Sequence, residues 1–222
     1  MQTETREMYV ALMQEIKYRA NVIEWFGANP GLGIYRRARV EFISLQLRMI
    51  LENIAMACLV ANGDLLGKVP RDLVKEYRPI QILKRIESIN PICYPQPIEL
   101  WEGSREFEAG LESLAGGQYR GEIKDRDGGD WLTREDISKV YGRLGQILHA
   151  KNPLAGKLDL DYFEGETPRW YNKIVNLVTH HKVTILNDQT MYIVVVGHKN
   201  NESDVDPGAK VQMTEWQRFD GL

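Results

Sequence analysis

Cysteine is nearly absent from this chain. Two thiols, Cys58 and Cys93, in 222 residues cannot staple a domain of this size. A disulfide scaffold is excluded, and the composition fits a reduced compartment. An excess of positive charge is missing as well. Lys+Arg total 28 against 31 Asp+Glu, a formal net charge of -3. That excludes a uniformly basic coat for nucleic acid and leaves only a local patch for such a partner. No run approaches the roughly 20 apolar residues that cross a bilayer. The opening MQTETREMYV lacks the basic-then-apolar layout of a signal peptide. A cytoplasmic protein without a membrane partner is therefore expected. Cofactor motifs are equally scarce. GANPGLG has the glycines of a phosphate loop but neither its lysine nor its serine or threonine. DRDGGD echoes a calcium loop, yet Asp130 stands where glycine is needed and Asp136 where glutamate is needed. His180 and His181 are adjacent ahead of a strand pattern, so they point to opposite faces and do not chelate together. Neither a metal nor a cofactor is expected.

What the chain does have is helical periodicity. Tyr9, Leu12, Met13, Ile16 and Ile23 recur at helical spacing in a first helix from about Glu4 to Phe26. A second runs from Tyr35 to Ala61 and is apolar nearly all round from Met49 to Val60, the pattern of a central helix. Asn62-Gly63 ends it. VPRDLVKEY and PIQILKRIESIN read as shorter helices, PICYPQP as a stiff extended connector, and Leu100 to Leu114 as a further helix. GGQYRGEIKDRDGGD reads as a loop or small hairpin. GKLDLDYFEGETP reads as irregular and RWYNKIVNLVTHH as a short helix. HKVTIL, TMYIVVVG and VQMTEWQRF carry the Val, Ile, Thr and aromatic content of strands. The expected fold is mainly α: a helical bundle over residues 1–153, followed over residues 154–222 by a short helix and a small C-terminal antiparallel sheet packed on the same core.

One helix carries a candidate site. Thr133 and Asp136 have capping-box spacing at its start, and it is expected to run to Ala150. At about 100° per residue, Ile137, Val140, Tyr141, Leu144, Ile147 and Leu148 form an apolar face. Lys139, Gly142, Arg143, Gln146 and His149 form the opposite stripe, with Arg143 and His149 about 60° to either side of Gln146. Gly142 and Gly145 lie on or beside that stripe, each about 1 kcal/mol less favourable than alanine in a helix, so a second helix, a second subunit or a ligand is expected to approach closely there. The bland reading is that His149 and Lys151 only complement the helix dipole. The second helix has its own polar stripe of Glu41, Ser44, Arg48 and Glu52. It is either a solvated face or a partner that orients the Arg143 stripe, with Glu41 or Glu52 supplying a carboxylate to a buried arginine. Arg36, Arg37 and Arg39, at a helix start where cations are unfavourable, are expected to be simply exposed or to contact phosphate.

Arginine, five residues, then histidine, as in RLGQILH late in a helix of a mainly helical chain, resembles the HEPN superfamily, and residues 4–153 resemble its helical bundle. The resemblance implies a dimer in which two Arg/His pairs meet, and a metal-independent endoribonuclease of the kind found among toxins, with an antitoxin partner, and in phage defence. Arg143 would bind and stabilise the phosphate, and His149 would move the proton. Gln146, Asn152, Arg48 and Glu41 would position RNA. Leu144 follows the arginine, where active members commonly carry a polar residue. A non-catalytic helical module that dimerises or binds a partner protein is the alternative, with Gly142 and Gly145 on its association surface.

Overall fold

The computed structural model describes residues 1, 3–29, 35–66, 71–100, 123–149, 154, 158–185, 190–196 and 211–216. In chain order these form α1 (Thr3–Ala28), α2 (Arg36–Ala61), a 3-10 turn (Gly63–Leu66), α3 (Arg71–Val74), α4 (Pro79–Glu87), β1 (Gln96–Leu100), β2 (Ile123–Asp125), α5 (Arg134–Leu148), α6 (Leu160–Val178), β3 (His180–Ile185), β4 (Thr190–Val195) and β5 (Gln212–Trp216). The fold is mainly α with a small antiparallel sheet.

α2 is the centre. It packs against α1, α4, α5 and α6, and Leu47, Ile50, Leu51, Ile54 and Ala57 are sealed from solvent. The expectation about apolar runs needs correcting at this helix. By length and composition α2 is apolar enough to cross a bilayer, because its second half, Met49 to Ala61, carries a single charge, Glu52. Of its apolar stretch 56% is buried, in a core to which α1, α4, α5, α6 and the sheet all contribute. Asn62 caps α2, its amide donating to Cys58 O at 2.8 Å. Buried Asn90 then donates to Asn62 Oδ1 at 2.6 Å and to Thr184 O at 3.1 Å. That chain ties the end of α2 and the segment after α4 to β3.

The sheet is larger than its C-terminal strands. Its order is β2-β1-β3-β4-β5, antiparallel throughout. β1 contains Pro97, within the segment expected to be a stiff extended connector. The Pro97 carbonyl accepts from Arg126 N at 3.3 Å, so the proline nitrogen faces the same side, just past the end of the β1–β2 ladder at Ile98–Asp125. The missing N–H therefore costs only the reciprocal bond of this terminal pair. β2 falls in the segment read as a loop or hairpin. Leu100, taken as the start of a helix, ends β1, and the rest of that segment lies outside the described residues.

α6 also begins earlier than its polar sequence suggests. Asp159 caps it, accepting from Tyr162 N at 3.0 Å. Phe163, Thr167, Trp170, Ile174 and Leu177 bury one face straight through Pro168. Arg36 pairs with Asp161 and with Glu164 at 2.7 Å, and Arg39 pairs with Glu164 at 3.0 Å. Arg36 is exposed, as one expectation had it, and with Arg39 it also links the start of α2 to the start of α6. Their hydrogen bonds, Arg36's first, hold the Glu164 carboxyl below its ordinary range.

Candidate active site between α5 and α6

α5 starts as its sequence requires. Asp136 N donates to Thr133 Oγ1 at 3.2 Å and Thr133 N donates to Asp136 Oδ2 at 3.3 Å, a complete capping box. Ile137, Val140, Tyr141, Leu144 and Ile147 are buried. Ser138, Lys139, Gly142, Arg143 and Gln146 are exposed. Leu144 is sealed in the core, so its apolar side chain is what packing demands at the residue after the arginine.

The exposed stripe of α5 faces α6 across a cleft of about 730 Å³. Lys139, Gly142, Arg143 and Gln146 line one wall, and Tyr162, Glu166, Arg169, Trp170 and Lys173 the other. The Arg143 guanidinium carbon lies 5.7 Å from the Tyr162 ring centroid, within cation–π range. The acids of the cleft are already engaged. Lys173 reaches Asp130 at 3.1 Å and Asp136 at 3.2 Å, and Arg169 reaches Glu166 at 3.0 Å. Hydrogen bonds to Asp130 and then Asp136 raise the Lys173 ammonium above its ordinary value. Partial burial acts to raise the Asp136 carboxyl, but Lys173 and the Thr133 cap outweigh it and hold it below its ordinary value. Among the described residues, Lys139 and Arg143 have no carboxylate partner. The α5 wall therefore presents two cations without an ion-pair partner among the described residues, an amide and a neighbouring aromatic ring, in a cleft whose lining has one positive charge in excess.

His149 is exposed but leaves the helix. It is the C-cap, with φ -101 and ψ 144, an extended conformation. The helical-wheel geometry thus stops at Leu148, two residues short of the expected end at Ala150, and His149 stands outside the residues that line the cleft. Asn152 lies outside the described residues. Arg48 and Glu41 are engaged elsewhere. Glu41 accepts from Arg37 Nε at 2.6 Å. Arg48 lies over the Tyr141 ring, its guanidinium carbon 3.9 Å from the centroid, and donates to Tyr141 Oη at 2.5 Å and to Glu52 Oε1 at 3.3 Å. Tyr141 Oη in turn donates to Glu52 Oε1 at 2.8 Å. Burial and the Glu52 carboxylate push the Tyr141 phenol up to about 12. Glu52 is thus the carboxylate that partners the arginine, and the triad fixes the rotation of α5 from its buried side.

The two glycines have different neighbours. A Cβ at Gly145 would sit 3.0 Å from Arg48 Nη1, so the close approach there is made within the chain by the triad. A Cβ at Gly142 would meet nothing within 4 Å; Gly142 widens the cleft mouth. DRDGGD runs from the end of β2 through a bend at Gly128, with Gly128 at φ 80 and Gly129 at φ 148, where a Cβ on Gly129 would strike the Trp131 ring at 2.7 Å. Among the described residues, no group of three or more His, Cys, Asp or Glu could hold a metal ion. The contribution of α6 was missed from the sequence; Tyr162, Glu166, Arg169 and Lys173 at helical spacing were its signal, obscured by Gly165 and Pro168. No protein-family model, no curated protein and no solved structure matches this chain.

Proposed function

We propose that this chain is a metal-independent endoribonuclease of the HEPN type, acting as a cytoplasmic homodimer. The observation that carries the reading is Arg143: exposed, lining a cleft beside Gln146, and without a carboxylate partner among the described residues. A fixed fork of donors in that state suits a phosphate and the charge that builds on its oxygens during cleavage. His149, exposed where α5 ends, supplies an imidazole, the side chain that exchanges protons most readily near neutral pH. The 2′-oxygen of the substrate forms the new bond to phosphorus and the bond to the 5′-oxygen breaks. The proton leaving the 2′-hydroxyl passes to a base, and one is delivered to the 5′-oxygen. RNA thereby brings its own nucleophile. In a homodimer the His149 of one protomer and the Arg143 of its partner would complete each other's site. Toxin–antitoxin pairing or phage defence is the setting the resemblance carries. The test is incubation of wild-type and His149→Ala protein with mixed RNAs in chelator. Cleavage by the wild type alone supports the reading; equal cleavage by both, or none by either, overturns it.

A second reading, a non-catalytic module that binds a partner protein, is favoured by the outer face of α1. Tyr18, Val22 and Trp25 are exposed there at i, i+4 and i+7, Trp25 by 53%. Gly145 does not belong to that surface, since Arg48 covers it. A cellular effect that survives His149→Ala but not Trp25→Ala would select this reading.

A further inference from the structure

The ribonuclease reading uses Arg143 and His149, and it leaves the α6 wall of the cleft without a role. We infer that the cleft between α5 and α6 is a subsite for one nucleotide of a single-stranded RNA, holding a phosphate on Lys139 and Arg143 and the base against Tyr162 with Gln146 at its edge. The inference rests on the ribonuclease reading for the kind of nucleic acid; the charge and shape of the cleft stand without it.

Three features converge. The first is charge. The three acids lining the cleft, Asp130, Asp136 and Glu166, are ion-paired with Lys173 and Arg169, and with Lys139 and Arg143 the lining carries four cations against three carboxylates, one positive charge in excess. Lys139 and Arg143, four residues apart and therefore neighbours on α5, are left as a pair of cations directed at the same space. The second is an aromatic surface. Tyr162 is 39% exposed on the opposite wall, and every base can stack on such a ring whatever its sequence. The third is size and polarity. A cleft of about 730 Å³ is in the range of small-ligand sites, and the exposed Gln146 amide offers both a donor and an acceptor to a base edge. A small carboxylate ligand would use the cations and leave Tyr162 and Gln146 idle, whereas a nucleotide uses all four. A duplex keeps its bases stacked inside, so the substrate must be single-stranded at this point.

The experiment is fluorescence anisotropy with a short single-stranded oligonucleotide carrying 2′-deoxyriboses, which the proposed reaction cannot cleave. Tyr162→Ala is expected to weaken binding about tenfold and Tyr162→Phe to bind like wild type. Lys139→Ala is expected to lower the salt dependence of log K by about 0.7, the loss of one phosphate contact. Circular dichroism and melting temperature confirm that each variant is folded. The proposal is overturned if folded Tyr162→Ala and Lys139→Ala bind like wild type, or if wild type does not bind. It is also overturned if inorganic phosphate competes fully while Tyr162→Ala has no effect, since that describes a bare anion site. The two readings fail separately. RNA cleavage with unchanged KM in both variants sinks the subsite and leaves the nuclease standing. Variant-sensitive binding without cleavage by any protein sinks the nuclease and leaves the subsite.

Discussion

Acidification should destabilise this fold through one buried imidazole. His181 is fully enclosed in β3. Its Nδ1 donates to Val178 O at 2.9 Å, which leaves Nε2 to accept from the Tyr9 hydroxyl at 2.8 Å. Both ring nitrogens are thus satisfied by the neutral tautomer. A proton on Nε2 would turn the acceptor into a second donor and place a charge in the core. Burial accordingly lowers this histidine from 6.5 to about 4. Below pH 6.5 the unfolded chain takes up a proton that the folded chain refuses, so stability falls by about 1.4 kcal/mol per pH unit. The contribution is complete above pH 6.5 and is lost as pH falls towards 4, a total of about 3 kcal/mol. The assay is urea unfolding followed by far-ultraviolet circular dichroism from pH 7.5 to 4.5, comparing wild type with His181→Gln, which cannot be protonated in this range. The variant is expected to be less stable at pH 7.5 and to lose about 2–3 kcal/mol less than wild type over the range. Parallel curves for the two proteins would refute the reasoning.

Other outcomes follow from the packing. Gly142→Ala should raise stability by up to about 1 kcal/mol, because alanine is the better helix former and nothing obstructs its methyl group. Gly145→Ala should gain less or lose, because the methyl group presses on Arg48 and disturbs the bond to Tyr141; equal melting temperatures for the two variants would contradict this. Asn90→Ala should cost about 2–3 kcal/mol in urea unfolding, since it breaks the bonds to Asn62 and Thr184 and leaves buried polar groups unpaired. A cost near zero would mean that the link between α2 and β3 carries little of the fold.

What could be read from the sequence was what depends on near neighbours. The capping box at Thr133, the buried face from Ile137 to Ile147, the Asn62 cap and the three C-terminal strands are all patterns within about two turns or one strand. Tertiary partners were not legible. Arg36 and Glu164 are 128 positions apart, and nothing local to Arg36 announces its acid. β1 was hidden because Pro97 argues against a strand until the position of the β2 end is known. α6 was hidden because Gly165 and Pro168 break the local helical signal, while the burial of Phe163, Trp170 and Ile174 against the core overrides it. The same broken helical signal hid the α6 wall of the cleft. Arg143 and Gln146 were placed correctly on the exposed stripe, whereas His149 escapes the wheel because the backbone turns extended at that residue.

Arg143 and His149 are proposed here as the working parts of a ribonuclease. The most direct test is the chemistry of the ends produced from a defined RNA oligonucleotide in chelator, resolved by mass spectrometry. The account predicts a 2′,3′-cyclic phosphate and a free 5′-hydroxyl, lost when the 2′-hydroxyl at the cleavage point is removed and lost in folded His149→Ala and Arg143→Ala. Intact RNA with wild-type protein, or the same products from either folded variant, would contradict it.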